Sequence, residues 1–184
     1  MILHGAATGA LELRATDNGG FRLAGRFPYG AEAELVPGRF EVFEARAFSG
    51  RINDDGEDIH LLAGHSFDRP LASRASGTLE VRETDQALEI EARIEGGTTW
   101  AADFLAAHRA GLVRGLSPGF RVASGGDRVE RRGNGILRVI ERAELFEIST
   151  VTRPAFEAAQ VEARSWQAGP PTWRTAMHPA MRWR

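Results

Sequence analysis

Residues 115–120 read GLSPGF, a serine framed by two glycines and followed at once by a proline. Gly-x-Ser-x-Gly is the pattern of the strand-to-helix elbow that exposes the nucleophile of an α/β-hydrolase. Three features count against that fold. In such an elbow the residue after the serine lends its backbone N–H to the oxyanion, and Pro118 has none. Residues 119–124, GFRVAS, carry no helical pattern. The hydrolase order is serine, acid, histidine, yet the only histidine after Ser117 is His178, in a proline-containing stretch near the end. The six residues still constrain the serine. A residue before proline is held extended, which presents the Ser117 side chain rigidly. Gly119 permits the close approach of a backbone or a substrate.

Outward from this stretch, much of the first half alternates apolar and polar residues, as half-buried strands do. ALELRA (10–15), GFRLAGRF (20–27) and RFEVFEARAF (39–48) follow that rule. DIHLLAGH (58–65) is more continuously apolar and fits a strand buried on both faces. GTLEVRE (77–83) and QALEIEARIEG (86–96) flank Thr84-Asp85, which reads as a hairpin turn. The period then changes. TTWAADFLAAHRAGL (98–112) places Trp100, Phe104, Leu105 and His108 at helical spacing, with Thr98 or Thr99 to cap its start and Gly111 to end it. Residues 124–135, SGGDRVERRGNG, read as an exposed hairpin or loop. ILRVIERAELFEISTVT (136–152) reads as one long strand or two joined by a bend, and RPAFEAAQVEARSW (153–166) as a helix with Pro154 near its first position. The expected organisation is one domain over 1–164 and a flexible tail over 165–184, which holds Arg, Trp and Pro but no acid.

Composition narrows the chemistry. The 184 residues suffice for one ordinary domain, and 42% hydrophobic with 26% charged residues describes a globular chain with a real core. No apolar run is long enough to span a bilayer, and the first residues lack a signal-peptide pattern, so a cytoplasmic location is expected. There are no cysteines, and all 23 basic residues are arginines. That removes thiol nucleophiles, Ser–Lys dyads and P-loop or Schiff-base lysines. A formal charge of −2 gives no field for a polyanion, so no nucleic-acid partner is expected.

A serine nucleophile needs a base, and five histidines are available: His4, His60, His65, His108 and His178. His4 and His178 lie near the ends of the chain, His108 takes a packing position on the helix, and His60 sits inside the apolar strand. His65 stands where that strand ends, a place from which an imidazole can meet another element. The other imidazole nitrogen needs an acceptor. In ELFEISTVTRPAF, alternation puts Leu145, Glu147, Ser149 and Val151 on one strand face and Phe146 and Ile148 on the other. A glutamate among apolar residues is costly to bury unpartnered. A histidine and an arginine are both suitable partners for Glu147.

LLAGHSFDRPLA, GLVRGLSPGFRV and AELFEISTVTRPAFEAA occur in that order over roughly residues 20–164. Together they resemble the prohead (capsid-maturation) protease family of tailed bacteriophages, relatives of the herpesvirus assembly proteases. The resemblance implies a β-rich α+β fold, a closed and mostly antiparallel β-barrel flanked by helices. It implies a serine endopeptidase that cleaves the major capsid protein and its scaffold segment inside the assembling prohead, in the cytoplasm of a bacterial host. By motif, Ser117 would be the nucleophile and His65 the base. Herpesvirus relatives place a second histidine in the third position. No histidine lies in residues 140–155 here, so the orienting role passes to Glu147. No cofactor, metal or membrane enters this reading. It accommodates self-cleavage and a homo-oligomer. Oxyanion donors stay open among the Gly119 N–H, Arg121 and Arg138.

Two rival classes remain for comparison. A non-catalytic scaffold or assembly domain would bind capsid protein and leave it uncut. A metal hydrolase would use His60 and His65, but there is no HExxH, and residues five apart on a strand point to opposite faces.

Overall fold

The computed structural model describes residues 3–4, 10–16, 20–54, 56–133 and 135–152. Thirteen strands and two helices fall within them. In chain order these are β1 (Leu3–His4), β2 (Ala10–Ala15), β3 (Phe21–Pro28), β4 (Ala33–Val36), β5 (Arg39–Phe43), α1 (Ser49–Ile52), β6 (His60–Ala63) and β7 (Pro70–Ser73). There follow β8 (Leu79–Glu83), β9 (Ala87–Ile94), α2 (Thr99–Arg109), β10 (Gly115–Val122), β11 (Asp127–Arg132), β12 (Gly135–Ile140) and β13 (Ala143–Val151). The helix expected over 153–166 and the tail over 165–184 lie outside the described residues.

The strands form three open sheets, in the orders β1-β10-β13-β6-β7, β11-β12-β5-β4 and β2-β3-β9-β8. This corrects the expectation of a closed β-barrel flanked by helices. Closure requires the two end strands of a sheet to pair with each other. Among the described residues no end strand does so, and no strand belongs to two sheets. Two of the pairings are parallel, β13 with β6 and β12 with β5. Among the described residues the helices are the single turn of α1 and the three turns of α2.

Local chemistry accounts for several elements. The Thr98 side chain accepts from the Ala101 N–H and caps α2, and Gly111 takes a positive φ of 70° just past the end. The β8–β9 hairpin closes through the Thr84 N–H to the Ala87 carbonyl. The unit read as one long strand or two is two: β12 and β13 belong to different sheets, with Glu141 and Arg142 between them.

The sheets meet over a shared core. Phe43 packs edge-on against both Phe27 and Phe120, with ring centroids 5.4 and 5.0 Å away, and Phe48 adds a third contact to Phe120. Leu23, Leu61, Leu116 and Leu145 are almost wholly buried around them. Each such side chain contributes roughly 1.5–3 kcal/mol relative to exposure. β3 approaches β10 so closely that a Cβ on Gly25 would lie 2.4 Å from Leu116 Cδ1. The serine strand is thereby pinned from behind.

Candidate active site

The GLSPGF stretch is a strand, although glycine and proline are both depleted in strands. Long-range pairing decides it: β10 runs antiparallel to β13 from Gly115↔Val151 to Val122↔Ala143. Among the described residues, β1 pairs with β10 only at Gly119 and Phe120. Pro118 lies just beyond that pairing, where a missing N–H is least costly.

Register then assembles the site. Ser117 is directly opposite Ser149, and Gly119 opposite Glu147. Directly opposed residues of an antiparallel pair share a face, so Ser117, Ser149 and Glu147 point to the same side. The ladder shifts register between Gly119 and Phe120 because β13 bulges at Phe146, so Leu145 pairs with Phe120 and joins the core with Ile148, not the Glu147 face that alternation gave it. A Cβ on Gly119 would stand 2.1 Å from Glu147 Oε1 and 2.7 Å from its Cδ. The glycine is required because the carboxylate occupies that space.

His65 arrives from β6, which lies on the far side of β13 and pairs with it in parallel, Glu147↔His60 through Thr150↔Ala63. Beyond Ala63 the chain turns through two residues of positive φ, Gly64 at 65° and His65 at 60°. A left-handed conformation at a non-glycine residue costs roughly 1–2 kcal/mol. Two bonds to β13 hold it: the Gly64 N–H to the Thr150 carbonyl, 3.1 Å, and the His65 N–H to Ser149 Oγ, 2.9 Å. The turn brings the imidazole back over the sheet. His65 Nδ1 lies 2.8 Å from Glu147 Oε1, and Ser149 Oγ donates to Glu147 Oε2 at 2.6 Å. Glu147 is 1% exposed, Ser117 likewise 1%, and the His65 side chain 15%.

Of the two partners the sequence left open for Glu147, the structure shows the histidine at its Oε1. Two of the other histidines stand elsewhere. His60 lies 3.4 Å from Asp58 and edge-on to the ring of Phe67, and His108 packs near Phe104 on α2. His4 lies on β1 as the cross-strand partner of Gly119, and His178 is outside the described residues. Arg138 belongs to the second sheet, 2.7 Å from Asp127 and 3.6 Å from the buried Glu41. Arg121 lies over the Phe146 ring and 3.5 Å from Glu144. Both guanidiniums that were candidates for oxyanion binding therefore have carboxylate partners. Sequence reasoning missed the two hydrogen bonds of Ser149, although alternation had put it on the Glu147 face.

No cluster of acids and histidines suited to a metal ion occurs among the described residues. No helix among them is long and apolar enough to cross a membrane. A family model described as caudovirus prohead serine protease matches residues 9–170. The chain belongs to that family. The match spans all three segments just described: the turn after β6, the β10 serine and the β13 glutamate. No curated protein and no solved structure shows significant similarity to the chain.

Proposed function

We propose that this member of the prohead serine protease family is an endopeptidase that cuts capsid protein and its scaffold segment during prohead maturation, with Ser117 as nucleophile, His65 as general base and Glu147 as the orienting acid. The contact of His65 Nδ1 with Glu147 Oε1 carries the reading. A carboxylate on one imidazole nitrogen fixes the tautomer and leaves the other as base. Ser117 lies on the adjacent strand and the same face.

In the first step the Ser117 oxygen bonds to the peptide carbonyl carbon while its proton passes to His65 Nε2. The carbon–nitrogen bond then breaks, and the same proton goes to the leaving amine. Water, deprotonated in turn by His65, releases the acyl group and restores the serine. Glu147 stays ionised and stabilises the imidazolium. Pro118 supplies no oxyanion donor. Ser117 is buried, so a docking substrate strand has to part whatever covers it.

Incubation with the capsid precursor tests the proposal. The protease reading predicts a shortened capsid protein whose new terminus is defined by mass spectrometry. Stable binding without any cut supports the scaffold-domain reading instead.

A further inference from the structure

Ser149 is wholly buried and has one hydroxyl proton. Its oxygen lies 2.9 Å from the backbone N–H of His65, a group that can only donate. That contact takes up a lone pair. The hydroxyl proton is then free for its other partner, Glu147 Oε2, at 2.6 Å. The direction of this short chain follows: His65 N–H to Ser149 Oγ, and Ser149 O–H to Glu147 Oε2. Oε2 is thus held as an acceptor, and Oε1 faces His65 Nδ1. With an ionised Glu147 accepting on both oxygens, the imidazole hydrogen belongs on Nδ1 and the lone pair on Nε2.

We infer that Ser149 is a positioning residue, a fourth member of the site that sets both the conformation of His65 and the polarity of its bond to Glu147. Two separate demands meet in one hydroxyl. The left-handed backbone of His65 needs a partner for its N–H. The Glu147 carboxylate, buried above Gly119, needs a second donor to keep it from rotating. A serine two residues after the glutamate is on the same strand face and short enough to meet both. Ser149 is also the cross-strand partner of Ser117, so the nucleophile, the strut and the acid form one contiguous patch.

This inference rests on the triad reading above, and the experiment separates the two. Nitrogen-15 NMR of the imidazole reports the His65 tautomer, and cleavage of a capsid-derived peptide reports kcat and KM. Wild-type protein should show the Nδ1–H form. Ser149→Ala should mix the two tautomers and lower kcat on the order of 10-fold to 10²-fold, with KM little changed, the size expected for a misplaced catalytic group. Ser149→Thr, which keeps the hydroxyl, should restore both. The inference is overturned if folded Ser149→Ala keeps wild-type kcat and a pure Nδ1–H form. It is also overturned, whatever the variants do, if wild-type His65 carries its proton on Nε2. Ser117→Ala run alongside tells the failures apart. An active Ser117→Ala refutes the triad, whereas an inactive one beside a fully active Ser149→Ala refutes only the role of Ser149.

Discussion

The carboxylate of Glu147 fills the space that a side chain on Gly119 would need, with Oε1 2.1 Å from the position of a Cβ. The second glycine of the GLSPGF stretch is therefore explained by a residue on the neighbouring strand, not by the turn chemistry that usually calls for glycine. Gly119→Ala should push the carboxylate off His65 while leaving the β10–β13 ladder in place. Its expected signature is a loss of about 10²-fold or more in kcat in a protein that still folds, with a melting temperature lowered by overpacking that costs roughly 1–3 kcal/mol. Wild-type turnover in Gly119→Ala would show that the carboxylate can move without consequence.

Glu147→Gln separates orientation from simple packing. Glutamine keeps the shape but cannot carry the charge that stabilises an imidazolium. The variant should fold and lose on the order of 10²–10⁴ in kcat. Glu144 is the control. It is half exposed and pairs with Arg121 at the surface, clear of the His65 contact, so Glu144→Gln should be nearly silent in peptide cleavage.

Tyr29 is the only tyrosine of the chain, so its titration can be followed without ambiguity in the ultraviolet. Burial, and then the hydrogen bond and charge of Glu83, push its hydroxyl far above the ordinary value near 10. Glu83 also accepts from the Phe48 N–H and the Ser49 hydroxyl, which ties β8 to α1. In the unfolded chain Tyr29 ionises at its ordinary value, so above about pH 10 the native state holds more protons than the unfolded one. The stability Tyr29 contributes is therefore complete below that pH and falls as pH rises further. Tyrosinate absorbance should appear together with unfolding, seen by circular dichroism. Ionisation of Tyr29 in a fully folded protein would contradict this.

Elements governed by local chemistry were legible in the sequence. The alternation of ALELRA, the hairpin at Thr84-Asp85 and the Thr98 cap of α2 rest on near neighbours, and each appears where the pattern puts it. The strand nature of GLSPGF was not legible, because glycine and proline argue against it and only the pairing with β13 overrides them. Sheet closure is decided by which distant strands meet, so periodicity could not distinguish three open sheets from a barrel. The site followed the same division. Alternation placed Glu147 and Ser149 on one face, and the end of an apolar strand singled out His65. The positive φ of His65 had no signal, since the residue that supports it lies 84 positions away.

Co-expression with the capsid precursor, followed by mass spectrometry of the capsid N-terminus, tests the central claim most directly. Wild-type protein should yield one shortened species, while Ser117→Ala and His65→Ala, each folded by circular dichroism, should leave the precursor at full length, because nucleophile and base act as one unit. Processing of the precursor by Ser117→Ala at the wild-type site would contradict the account.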